Sequence, residues 1–158
     1  MKIFDINAEN SILNIRDMTT STDYNIVSNN ISIDVRNLWS LSAFNINADS
    51  KIDPVENLNF NITSTNASNF NIRAVNLNLN ANTFRCFNSG SIEFYDGEAN
   101  INTKKLSDVY INITSEEGNI EVNGRTVFSP YVQANTENDG KYFKIATKNG
   151  SVKYNEES

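Results

Sequence analysis

Cys86, in Phe84-Arg85-Cys86-Phe87, is by type the strongest nucleophile in this sequence. A thiol works as one when a basic neighbour draws off its proton, and the usual neighbour, histidine, is absent from the whole chain. Cys86 is therefore expected to be a small buried hydrophobe. The lack of histidine also excludes Ser-His-Asp chemistry and histidine metal clusters. No glycine-rich phosphate loop is present. Carboxylates remain. Glu93, Asp96 and Glu98 have the chemistry of an acid/base pair, and Glu116-Glu117-Gly118-Asn119 that of a weak calcium ligand. The first set falls in a strand-and-turn stretch, where carboxylates are ordinarily solvated edge charges, and the second lacks calcium-loop spacing. No enzyme is expected, with no catalytic residue, metal ligand or cofactor.

The elements that would position such residues are strands. Of 158 residues, 29 are asparagine. They alternate with apolar residues, as in Phe44-Asn45-Ile46-Asn47-Ala48 and Leu58-Asn59-Phe60-Asn61-Ile62. Period two puts apolar side chains on one face and amides on the other, the signature of a half-buried strand. A disordered asparagine tract lacks this alternation.

A period of seven overlies the period of two. Tyr24, Ile31 and Leu38 are so spaced, and so are Phe70, Leu77 and Phe84. Each unit reads as a strand of about five residues plus a two-residue corner, where asparagine suits left-handed backbone. A coiled coil is excluded because apolar spacing inside a unit is two and two, and asparagine is a poor helix former. Self-similar strand units stack like over like. The fold expected is all-β: a β-helix or β-prism of short stacked strands with a less regular C-terminal β region. Tyr24, Ile31, Leu38, Phe44, Phe60, Phe70, Leu77 and Phe84 are its expected core columns, with asparagine ladders outside. Trp39, Tyr110, Tyr131 and Tyr142 are expected to pack in the core or between subunits rather than grip a glycan.

All six glycines lie after residue 89. Residues 1–89 thus read as a glycine-free stem and 90–158 as a cap continuous with it. Asp96-Gly97, Asn123-Gly124, Asp139-Gly140 and Asn149-Gly150 mark hairpins or tight coil corners, and Pro54 and Pro130 mark breaks.

A net charge of −6 with interspersed signs, and no basic stripe, argues against nucleic-acid binding. No apolar run has the length of a signal-peptide core or a membrane span, so synthesis and folding in a cytosol are expected.

Leu58-Asn59-Phe60-Asn61-Ile62 and the run from Phe70 through Ala81 resemble the β-helical stems of central spikes in contractile phage tails and related injection machines. In that family three chains intertwine into a rigid prism. The resemblance covers residues 24–87 by pattern. It implies a homotrimer within a virion, assembled in host cytoplasm with other particle structural proteins, and contact with a host envelope or glycan. The family's corner glycines and His-x-His tip are absent, so no metal-stapled tip is implied. The segments 113–122 and 145–152 resemble bacterial adhesin-type solenoids, which implies a single-chain module on a cell surface. The same pattern admits both forms: three units, about 21 residues, would make one coil of a single chain.

Overall fold

The computed structural model describes residues 2–17, 22–38, 41–104, 109–133 and 141–157. It is all-β, with twelve strands hydrogen-bonded into one sheet system and no helix among the described residues. Among the described residues no helix is long and apolar enough to cross a membrane.

The strands are successive passes of one chain over itself. β1 (Lys2–Ala8) lies parallel to β3 (Thr22–Ser28), with Phe4 opposite Tyr24. β3 lies parallel to β5 (Leu41–Ile46), with Tyr24 opposite Phe44. β5 is followed by part of β6 (Val55–Lys104), with Phe44 opposite Phe70. On a second side, β2 (Ser11–Arg16) lies parallel to β4 (Asn30–Arg36), and β4 to the opening of β6. Equivalent residues are 20 apart in the first coils, as in Asn25 with Asp5. Across the third coil the spacing grows to 26 or 27. The excess is a loop, 47–54, between β5 and Val55.

A short third side closes each coil. Its entrance is a column of left-handed residues: Asp17, Asn37, Ser64 and Thr83 have φ between 52° and 54°. Asn37 N donates to Thr63 O and Asn66 N to Leu38 O, so this side is stacked as well. The period of seven is the spacing between sides: Tyr24, Ile31 and Leu38 occupy the three sides of one coil, and Phe70, Leu77 and Phe84 those of another. The expected corner asparagine at Asn37 is left-handed. Asn76 instead sits within β6 and donates its amide to Asn57 at 3.1 Å.

Above β6 the stacking order departs from chain order. β7 (Tyr110–Ser115) and β8 (Ile120–Val122) form the coil next in sequence. The coil resting on β6 is instead the last one, β11 (Tyr142–Thr147) and β12 (Ser151–Glu157). β11 pairs with β6 on one side and β7 on the other, and β12 with β6 and β8. The C-terminal coil is therefore inserted beneath the coil that precedes it. β9 (Arg125–Val127) folds back on β8, and β10 (Tyr131–Gln133) on β7, both antiparallel, and they cap the stack.

The glycine-rich half follows from this packing. Gly97, Gly150 and Gly118 fall in one corner column of three successive coils. A Cβ on Gly97, where φ is +110°, would overlap the backbone of Leu77, and one on Gly150 the ring of Phe94. Asn123-Gly124 forms the β8–β9 hairpin, with φ of 49° and 73°. Asp96-Gly97 and Asn149-Gly150 turn coil corners. Asp139-Gly140 lies outside the described residues. β6 crosses 89/90 without interruption, and one buried cluster runs from Ile15 to Tyr154.

Candidate functional site

The side chains singled out for chemistry are dispersed. Cys86 is buried, its thiol 3.7 Å from Ser68 O, and burial pushes its pKa up to about 12, far from a thiolate at neutral pH. Glu93, exposed, lies 3.9 Å from half-buried Arg73, and Glu98 lies 3.1 Å from Lys153 in an exposed pair, each pair joining different coils. Glu116 and Glu117 are exposed, and their backbone amides donate to Thr147 O and Lys148 O. Among the described residues no group of three or more acidic or cysteine side chains is placed to hold a metal ion.

The eight expected core residues are all buried, none above 4% exposed. Five of them stack with their neighbours. Phe4 lies 5.2 Å from Tyr24 between ring centroids, Tyr24 5.6 Å from Phe44, Phe44 6.0 Å from Phe70 and Phe70 4.8 Å from Phe84. Phe60 enters from the second side, 5.3 Å from Phe44. Such contacts add about 0.5–1.5 kcal/mol each beyond the area they bury. Tyr110, Tyr131 and Tyr142 are half-buried on the flank and cap, and Trp39 lies outside the described residues.

The outer faces carry amide ladders with a common direction. Asn71 Nδ2 donates to Asn45 Oδ1, Asn45 to Asn25, and Asn25 to Asp5, at 2.9 Å each. A second ladder runs Asn76, Asn57, Asn30, Asn10, and Asn37 donates to Asp17. The upper residue donates at every step, so each middle amide accepts through its oxygen from the coil above and donates its NH2 to the coil below. Asp5 and Asp17, in the first coil, accept and cannot donate onward, so two ladders end there.

A cleft of about 440 Å³ lies beside loop 47–54. It crosses several coils and is lined by Arg73, Glu93, Tyr95, Glu116, Ser129 and Lys148 among others. Arg73 is committed to the loop: its Nη1 donates to Asp49 O and Ile52 O at 2.9 Å. Asn47 holds the other end, its amide bonding both Ser28 N and Ser28 O, at 3.0 and 2.9 Å, as a strand peptide would. Lys148 Nζ lies 5.0 Å from the centre of the Tyr95 ring, and its hydrogen bond to Tyr95 raises its pKa. The cleft pairs Arg73 with loop carbonyls and Lys148 with the Tyr95 ring. The cleft and the inserted coil have no local sequence signal. The one sequence trace of the loop is Pro54 after a run of polar residues.

No family model, curated protein or solved structure matches the chain.

Proposed function

We propose that this chain is a rigid β-helical rod that works by shape, as a structural component of a virus-like particle such as a tail spike, baseplate or fibre, and that it is not an enzyme. The observation that carries the reading is the continuity of the stack. Core columns run without interruption from Phe4 to the cap, and amide ladders run beside them on the surface. Each coil braces the next through backbone bonds, buried side chains and ladders, so bending strains all three. A single-chain rod is favoured over an intertwined prism because three seven-residue sides of one chain already close the core. Association with further copies and with other particle proteins then uses the outer surfaces and ends. Mass spectrometry of purified particles, with immunogold labelling, tests the role. Recovery of the chain at fixed stoichiometry with tail-tube or baseplate proteins supports it. Recovery on a cell surface, released by protease and absent from particles, contradicts it.

That second outcome belongs to the adhesin-type reading. One observation favours it: segments 113–122 and 145–152 lie in adjacent parallel coils of one chain, the form such solenoids take.

A further inference from the structure

Asparagine is followed by glycine at two places in the chain, Asn123-Gly124 and Asn149-Gly150. The dipeptide has a chemistry of its own. The backbone nitrogen after an asparagine can attack that residue's side-chain amide carbon, and glycine, without a Cβ, hinders the approach least. The two dipeptides sit in opposite surroundings.

Gly150 is buried at the corner between β11 and β12, each of which is paired on both sides. Its N–H donates to Thr147 Oγ1 at 2.9 Å, and Asn149 N donates to Tyr95 O at 2.8 Å. The Phe94 ring stands where a Cβ on residue 150 would lie. The nucleophile is occupied, and its peptide has no room to turn toward the Asn149 side chain. Gly124 is exposed, and beyond its chain neighbours nothing lies within 4 Å of where its Cβ would be. Its turn joins two strands of 3 residues each, and β9 pairs with β8 alone among the described residues. So short a hairpin opens at a lower free energy than the stack beneath it. Glu156 N donates to Asn123 Oδ1 at 2.8 Å. That bond holds the side chain while the Gly124 peptide swings. It also aims a donor at the oxygen that takes up negative charge when the amide carbon is attacked.

We propose that the β8–β9 turn modifies itself: in the folded protein Asn123 deamidates through Gly124, and Asn149 does not. Gly124 N gives its proton to solvent and bonds to Asn123 Cγ. The Cγ–Nδ2 bond breaks, ammonia leaves, and a cyclic imide closes. Water then opens the ring at either carbonyl, to aspartate or isoaspartate, so a water is consumed for each ammonia released. Both products place a new carboxylate at the tip of the cap. Aspartate keeps an oxygen for the Glu156 N–H. Isoaspartate carries the main chain through the side-chain carbons, which lengthens the turn and disturbs the register of Val122 with Arg125. Modification therefore loosens the cap and leaves the coils below intact. This holds whether or not the rod belongs to a particle.

Peptide mass mapping of the purified protein, aged at mildly alkaline pH, tests it, with electron-transfer fragmentation to tell isoaspartate from aspartate. A parallel sample is aged in guanidinium chloride. There the two sites are expected to convert at similar rates, since glycine follows both. In the folded protein Asn123 is expected to convert more than about tenfold faster than Asn149, which is protected by the stack. The acidic species that grows with time on isoelectric focusing is expected to vanish in Asn123→Gln, whose longer side chain closes a ring less readily. Equal rates at the two sites of the folded protein would overturn the proposal. So would an Asn123 that stays intact while the denatured chain converts fully, or an acidic species that persists in Asn123→Gln.

Discussion

Phe143 and Gly90 are register partners on adjacent coils, and the Phe143 ring fills the space a Cβ on residue 90 would enter. The aromatic column detours at this point. Phe84, from the third side, covers Phe70, and Phe143 follows 6.1 Å from Phe84. Gly90 is therefore the seat on which the inserted C-terminal coil rests. Gly90→Ala is expected to cost about 1–3 kcal/mol by overpacking. Gly90→Ala with Phe143→Leu should recover part of that loss, which urea denaturation of the singles and the double will show as a non-additive cycle.

Asn47 replaces a missing strand peptide at a left-handed position, φ 44°. Asn47→Ala would orphan the N–H and C=O of Ser28 and place a Cβ residue with no side-chain bonds at positive φ. A loss of about 2–4 kcal/mol is expected from these unsatisfied groups. Asn47→Gly relieves the backbone alone and should fall between alanine and wild type in the same denaturation assay.

The buried thiol and phenol set the alkaline limit. Cys86 is raised from its ordinary 9.0 to about 12, and burial pushes Tyr154 upward too, with Glu156 adding to it. Both are neutral in the folded state where the unfolded chain would already lose a proton. Stability is thus unaffected below about pH 8.5 and falls as pH rises from there toward 12. Cys86→Ala should flatten the first part of that decline in a pH series of urea midpoints. Native Cys86 should react with a thiol reagent at pH 8 no faster than the protein opens.

Ladder direction makes carboxylates tolerable at the first coil and costly in the middle. Asn45→Asp keeps the bond from Asn71 and loses the one to Asn25, so about 1 kcal/mol is expected. Asp5→Asn should change stability by less than about 0.5 kcal/mol. Parallel thermal melts distinguish the two.

Much of this was legible in the residues. Alternation of Asn with Phe, Ile and Leu marks the strands because side-chain direction has period two, and spacing of Tyr24, Ile31 and Leu38 marks the sides of a coil. The left-handed corner at Asn37 follows from residue type. Ser64 and Thr83 occupy the same corner with no such signature, since the column above and below fixes their backbone. The insertion of 141–157 beneath 110–122 left no local trace. Ile113 and Ile145 have equal claims to lie over Ile92, and which wins depends on Gly90 accepting Phe143, a fit between residues far apart in sequence. The cleft was hidden for the same reason: its walls come from four coils, and no short motif unites Arg73, Tyr95 and Lys148.

The coils stack in parallel, and the last coil in sequence is inserted out of order. Asn14, Asn100, Lys153 and Glu121 lie in one outward column, and each is accessible to a spin label, while Cys86 is buried. Three doubly labelled proteins, each with Asn14→Cys plus Asn100→Cys, Lys153→Cys or Glu121→Cys, measured by pulsed electron–electron resonance, test it most directly. At the usual spacing between neighbouring strands, the separations should be about 19, 24 and 29 Å in that order. A shorter distance to residue 121 than to residue 153 would mean coils stacked in chain order and would contradict the inserted coil. Three similar or broadly distributed distances would contradict the stack itself.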